Sequence, residues 1–298
     1  MARKEDRRRE FSQNFLHDQR LAQHLVETAG IGSKDLVIEI GPGDGALTAE
    51  LIRCSHLVLA VEADPRLVNR LRSRFRTQTN FALFEGDFLS FPLPCTPYKV
   101  VANLPYRHTA AIVGKLTTGT SPPLDMHLVM QHEAGQRFMG IPDGTMLATQ
   151  LAPWFEVSIV HRFHRSDFRP PPAVDSVMVR LRQREVPRVP WHQRPRFADL
   201  VAATFSAWKP TADEALRQIL GPSSFQQLIA ALGRSITTRP SQVDVTTWIN
   251  LFQVLDRCAT PAEWNRMEAA NRRLHQQQTA LERPTRTRQQ SIRRKPPG

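Results

Sequence analysis

At 298 residues with 41% hydrophobic content, the chain can bury the core of one large domain and a smaller one beside it. Its 40 Lys and Arg against 28 Asp and Glu give a formal net charge of +12 and a pI of about 10.7, which points to a polyanionic partner, nucleic acid first and an anionic membrane second. The scattered cysteines Cys54, Cys95 and Cys258 exclude a disulfide framework and a cysteine metal site and read as reduced thiols of a cytoplasmic protein; no apolar run approaches a membrane span, and the charged start MARKEDRRRE does not read as a secretory signal.

Residues 1–10 form a basic N-terminal arm, with Arg3, Lys4, Arg7, Arg8 and Arg9 against Glu5, Asp6 and Glu10. It is either a solvated tail or a phosphate-contacting segment. Phe11-Ser12-Gln13-Asn14-Phe15-Leu16 reads as a packed turn, after which Asp18 caps a helix running to about residue 29. Leu36-Val37-Ile38-Glu39-Ile40 is a buried strand, Gly41-Pro42-Gly43-Asp44-Gly45 a glycine turn, and Ala46-Leu47-Thr48 the opening of a helix. The glycines let backbone N–H groups approach a ligand at a helix N-terminus. The spacing is G-x-G-x-G, tighter than the dinucleotide fingerprint, and Asp44 in the loop suits a ligand with positive charge better than a phosphate.

A second strand over 56–61 ends at Glu62, where a carboxylate can accept from both ribose hydroxyls; the plain alternative is a surface charge. A basic helix follows over 65–76, with Leu67, Leu71 and Phe75 inward. The third strand, 80–85, leads into Gly86-Asp87-Phe88-Leu89. Asp87 there can accept from an adenine amine while the Phe88 N–H serves a ring nitrogen, or Asp87 only caps a turn. The fourth strand, 98–102, ends in Asn103-Leu104-Pro105-Tyr106. A buried strand stopping at an amide, a proline-stiffened turn and then an aromatic is the layout needed for a flipped base whose amino group is modified; in isolation it is equally a strand end and a core tyrosine.

Helices over 108–116 and 132–139 flank a fifth strand over 125–131, and strands over 155–163 and 176–181 form an antiparallel pair closing the sheet. Between them, the proline-stiffened stretch from Asp167 to Ser176 holds Phe168, which either supplies a second face for a base opposite Tyr106 or is buried in a rigid connector. Prolines 187, 190 and 195 mark a boundary. The expected organisation is an arm at 1–10, a methyltransferase-like α/β domain at 11–184, a helical RNA-binding domain at 185–281 (helices near 196–207, 211–220, 223–232, 245–257 and 262–279), and a basic, disordered tail at 282–298. In the helical part, Trp208, Lys209, Arg217, Arg234 and Arg239 are candidates for a nucleic-acid face, or simply solvated surface.

Six motifs stand in one order: Gln-Asn-Phe-Leu (13–16), Glu-Ile-Gly-Pro-Gly-Asp-Gly (39–45), Glu62, Gly-Asp-Phe-Leu (86–89), Asn-Leu-Pro-Tyr (103–106) and the Phe168 proline loop. Each alone is weak, but in this order over residues 11–182 the chain resembles the ribosomal RNA adenine N6-methyltransferases, which include the Erm resistance methylases and the small-subunit dimethyladenosine transferases. The resemblance implies a seven-stranded Rossmann-like domain with a small all-α C-terminal domain, S-adenosyl-L-methionine as cofactor, and mono- or dimethylation of an adenine N6. It further implies that Asn14 and Leu16 close over the donor, that Gly41 and Gly43 flank its amino-acid part, that Glu62 holds the ribose, and that Asp87 and Phe88 hold the adenine. Asn103 and Leu104 would then accept the target amine hydrogens, with Tyr106 and Phe168 stacking on the base. Within the family the basic arm and tail and the short helical domain look like the Erm branch: a monomeric, cytoplasmic enzyme acting on 23S rRNA and conferring macrolide-lincosamide-streptogramin B resistance. The alternatives are a 16S rRNA dimethyladenosine transferase and a non-catalytic RNA-binding or transcription factor descended from the family. Two departures bear on RNA docking: Arg107 and His108 stand where small polar residues are usual, and Lys209-Pro210 where a more basic or Gly-rich turn is expected.

Overall fold

The computed structural model describes residues 14–274 and 276, so the arm at 1–10, Phe11 to Gln13 and the tail at 282–298 lie outside the described residues. Among the described residues, nine strands form two sheets. A two-residue strand β1 (Phe15–Leu16) pairs antiparallel with β8 (Phe168–Arg169). The main sheet holds β2 (Leu36–Ile40), β3 (Leu57–Glu62), β4 (Phe81–Glu85), β5 (Lys99–Asn103), β6 (Asp125–Gln131), β7 (Phe155–Arg162) and β9 (Ser176–Gln183), in the order β4-β3-β2-β5-β6-β9-β7.

The five strands from β4 to β6 are parallel, and β9 and β7 close the sheet antiparallel. The parallel strands read as near-continuous apolar runs, as strands covered on both faces must. Val37, Ile38, Val58, Val100, Val101, Ala102 and Leu128 are all buried. The connecting helices are α1 (Gln19–Thr28), α2 (Ala46–Cys54), α3 (Pro65–Arg74), α4 (Thr109–Thr118), α5 (His132–Met139) and α6 (Met146–Leu151). Asp18 caps α1 by accepting from the N–H groups of Arg20 and Leu21, and Asp64 caps α3, with Pro65 at the first turn. The chain leaves β2 toward β3 and β4 on one side and resumes at β5 and β6 on the other. That reversal opens a crevice beyond the carboxyl ends of β2 and β5, where ligands bind in doubly wound sheets.

The described chain divides into two compact units. One runs to Trp191 and takes in Ser241–Ile249; the other comprises His192–Pro240 and the residues from Asn250 onward. The proline-rich stretch after β9 stays with the sheet because its backbone is bonded to it: Arg184 N–H donates to the Trp154 carbonyl (2.8 Å) and Arg188 N–H to that of Pro153 (2.9 Å). Beyond Trp191 the chain is helical, with α7 (Arg194–Ser206), α8 (Ala212–Ile219), α9 (Pro222–Leu232), α10 (Val245–Cys258) and α11 (Pro261–Met267). The last expected helix, over 262–279, is broken after Met267, where Ala269 takes a φ of 59°. No helix among the described residues is long and apolar enough to cross a membrane, and no described group of His, Cys, Asp and Glu could hold a metal ion.

Candidate active site

A cavity of about 450 Å³ opens at the crevice, walled by the ends of β2, β3 and β5, the start of β1 and the turn after β4. Gly41 and Gly43 form its floor with φ of 66° and 61°, and a Cβ on Gly43 would lie 2.6 Å from the Phe15 ring. Only glycine lets that ring lie against the loop. Gly45 begins α2 at φ 82°, where a Cβ would strike Phe75 at 2.9 Å.

Glu62 closes β3 and is buried at 3% exposure. Its Oε2 accepts from the Gly43 N–H (3.1 Å) and its Oε1 from the Asp64 N–H (2.9 Å). These bonds fix the carboxylate plane and leave each oxygen a further lone pair for the cavity. Burial pushes the Glu62 carboxyl up, against the lowering effect of those N–H groups. Behind it on β2, burial together with the Glu62 charge raises Glu39 to about 8, with Thr48 opposing.

On the far wall the Asp87 carboxylate caps the next turn by accepting from Leu89 N–H (2.9 Å), and Phe88 lies buried beneath. Lys115, on α4, locks this turn. Its ammonium donates to the carbonyls of Phe88 (2.7 Å), Leu89 (2.8 Å) and Phe91 and sits 5.0 Å from the Phe88 ring centroid. Burial lowers the Lys115 ammonium, and Asp87 opposes that shift.

The third wall is Asn103 to Tyr106. Leu104 is buried and its N–H donates to the Val129 carbonyl (3.0 Å), which anchors the turn to β6. Pro105 holds φ at −64°. Asn103 Nδ2 donates to the Asn14 carbonyl at 2.7 Å, so the amide is held with Oδ1 as its remaining acceptor. The Tyr106 ring is half-buried and its hydroxyl meets Ser176 Oγ at 2.6 Å. Arg107 and His108 follow in a short 3-10 turn, exposed and at the cavity wall.

The structure thus brings the expected Asn14, Gly41, Gly43, Glu62, Asp87 and Phe88 together with Asn103, Leu104 and Tyr106 around one cavity. Leu16 has its side chain in the core at 5% exposure and lines a narrow cleft with Gly41 and Asn103 beside this cavity. Successive residues of a strand point to opposite faces, so in β1 Phe15 takes the cavity side and Leu16 the core side. Phe168 is no exposed stacking platform. It is 1% exposed, pairs with Leu16 across β1–β8, and packs against Phe163 at 5.1 Å between centroids. Burying a ring between apolar neighbours outweighs displaying it. Asp44, expected to favour a cationic ligand, instead pairs with Arg70 outside the cavity. Sequence reasoning missed Phe15, Lys115, Ser176 and Glu39. The two-residue β1 is too short to show the alternation that would have marked Phe15, and the others depend on contacts distant in sequence.

The cavity suits a ligand with an apolar middle and polar ends: Ile40, Val61 and Phe88 line it, with a buried carboxylate at one strand end, an exposed one at the next, and open glycines where backbone must come close. The model for ribosomal RNA adenine dimethylases matches residues 4–257. The chain belongs to that family. A ribosomal RNA small subunit methyltransferase A from Synechococcus sp. (strain JA-3-3Ab) is 33% identical over 259 residues, covering 83% of this chain and 92% of the relative. An rRNA adenine N-6-methyltransferase from Corynebacterium diphtheriae is 35% identical over 214 residues, covering 71% and 82%. The crystal structure of the 23S rRNA methyltransferase ErmE superposes with a TM-score of 0.72 at 28% identity, covering 82% of this chain and all of that one. The chain is therefore an rRNA adenine methyltransferase with the Rossmann-like fold, and its methyl donor is S-adenosylmethionine.

Proposed function

We propose that this enzyme methylates N6 of an adenine in 23S rRNA, once or twice, acting as a cytoplasmic monomer on naked RNA or the assembling large subunit, and that it protects its host from macrolide, lincosamide and streptogramin B antibiotics. The observation that carries the adenine chemistry is the Asn103 amide, held by the Asn14 carbonyl with Oδ1 left to accept. The lone pair of an adenine amine is delocalised into the ring, so the amine is a poor nucleophile. Asn103 Oδ1 and the Leu104 carbonyl would accept its two hydrogens and favour a pyramidal nitrogen. Tyr106, steadied by Ser176, would hold the flipped base flat. When bound, the donor supplies a methyl group on a cationic sulfur. Glu62 would grip its ribose and Asp87 its adenine amine, while positioning and the acceptors around N6 supply the rate. The methylated amine is acidic enough to lose its proton to water, so the site needs no strong base.

The 23S reading is supported by the likeness to ErmE, a 23S rRNA methyltransferase, over the whole of that chain. A 16S reading, with the enzyme maturing the small subunit, is supported by the Synechococcus relative, which aligns over more of both chains. The deciding experiment is transfer of labelled methyl from S-adenosylmethionine to protein-free 23S rRNA, protein-free 16S rRNA and assembled small subunits. Label on an adenine of 23S rRNA is the expected result, and Asn103→Ala abolishes it while donor affinity changes only moderately. Label confined to 16S rRNA would move the enzyme to the second reading. Normal turnover by Asn103→Ala would overturn the mechanism.

A further inference from the structure

Trp208 is the largest side chain the protein leaves in solvent. Of the five tryptophans, Trp154, Trp248 and Trp264 are buried and Trp191 half-buried, whereas Trp208 is 95% exposed. It follows α7 with a φ of 52°, a left-handed conformation that L side chains rarely adopt, and Lys209 and Pro210 follow it. The turn leads into α8, whose first residues are tied to a second loop: Ala212 N–H donates to the Thr238 carbonyl (2.9 Å), Asp213 N–H to that of Ile236 (3.2 Å), and Ile236 N–H to Asp213 Oδ1 (2.9 Å). These bonds hold the loop carrying Arg239 at the N-terminus of the helix that the Trp208 turn enters, and Lys209 and Arg239 are both exposed. An exposed indole followed directly by Lys209, with the Arg239 loop tied to the same helix start on a chain of net charge +12, is suited to the face of a nucleobase and the phosphates beside it.

We infer that Trp208, with Lys209 and Arg239, forms a stacking platform for an unpaired nucleotide of the RNA substrate, separate from the cavity that holds the target adenine. The inference rests on the rRNA reading above. Base–aromatic stacking tolerates any base, so the platform recognises an unpaired segment rather than a sequence. Lys209 and Arg239 would contact phosphate and contribute the salt-dependent part of the affinity.

The test is direct binding by the full chain to a fluorescently labelled single-stranded oligoribonucleotide and to protein-free rRNA, alongside donor binding, methyl transfer and thermal melting. Trp208→Ala is expected to weaken RNA binding about tenfold. Trp208→Phe should stay near wild type, with donor affinity and melting unchanged in both. Lys209→Ala and Arg239→Ala should each lower the salt slope by about one. RNA binding by Trp208→Ala within about twofold of wild type overturns the platform, as does a loss that Phe fails to rescue and that tracks a lower melting temperature. If RNA binds through Trp208 but no adenine is labelled, the platform stands and the rRNA reading falls. If adenine is labelled while Trp208→Ala binds normally, the reading stands and the platform falls.

Discussion

At the scale of single residues, Tyr106 does two separable things. Its ring forms part of the cavity wall, and its hydroxyl is held by Ser176 Oγ at 2.6 Å, reaching from β5's exit turn to the start of β9. Burial raises the phenol and Ser176 lowers it, so the hydroxyl stays protonated through the physiological range. In the proposed reaction the ring stacks and the hydroxyl only steadies it. Tyr106→Phe removes one hydrogen bond, worth about 1 kcal/mol, and should reduce kcat/KM for RNA severalfold. Tyr106→Ala removes the stacking face, worth roughly 1–3 kcal/mol, and should cost at least about tenfold more than the Phe variant. Steady-state kinetics on the labelled RNA separates the two, and equal losses would remove the stacking role. Ser176→Ala should behave like Tyr106→Phe.

At the scale of elements, the walls of the cavity are short turns held from outside, and Lys115 shows how. One ammonium on α4 spends its three donors on three carbonyls of the turn after β4, fixing Asp87 and Phe88 without touching the cavity's contents through its own charge. Lys115→Met should therefore raise KM for S-adenosylmethionine about tenfold with little change in KM for RNA, because only the donor-facing wall loosens. Lys115→Arg should not rescue it, since a planar guanidinium cannot meet three converging carbonyls. A rise in both KM values together with a large drop in melting temperature would make Lys115 merely structural. This element also shows what the sequence could and could not reveal. The strand at Lys99–Asn103 announces itself by composition, since a run covered on both faces must be apolar. The sheet's other six strands were legible for the same reason or by alternation. Lys115 looks like any helical lysine, because its partners lie 24 to 27 residues away. The β1–β8 pair escaped notice since two residues show no period, and with it the burial of Phe168. The six-residue helix α6 is shorter than two turns of apolar repeat and left no signal.

At the scale of the whole molecule, charge rather than shape divides RNA binding from donor binding. The cavity is small and presents carboxylates to a donor of low net charge, so donor affinity should depend little on salt. RNA binding draws on the surplus of +12, and much of that surplus sits at the ends. Residues 1–10 hold five cations against three anions, and residues 282–298 hold six against one, so the two segments contribute seven of the twelve net charges. If the ends contact phosphates, affinity for rRNA falls linearly with the logarithm of salt, with a slope of about 0.7–0.9 per phosphate neutralised. A chain ended at residue 281 should then show a shallower slope than the full chain, by up to about four, and a higher KM for RNA at 50 mM salt. Its KM for S-adenosylmethionine and its kcat on saturating RNA should be unchanged, because the cavity lies wholly within the sheet-bearing unit. Measuring RNA affinity for both chains from about 50 to 300 mM salt decides the matter. Identical slopes would mean that the tail is solvated charge and that the phosphate contacts lie on the folded units, with Lys209 and Arg239 the first to substitute.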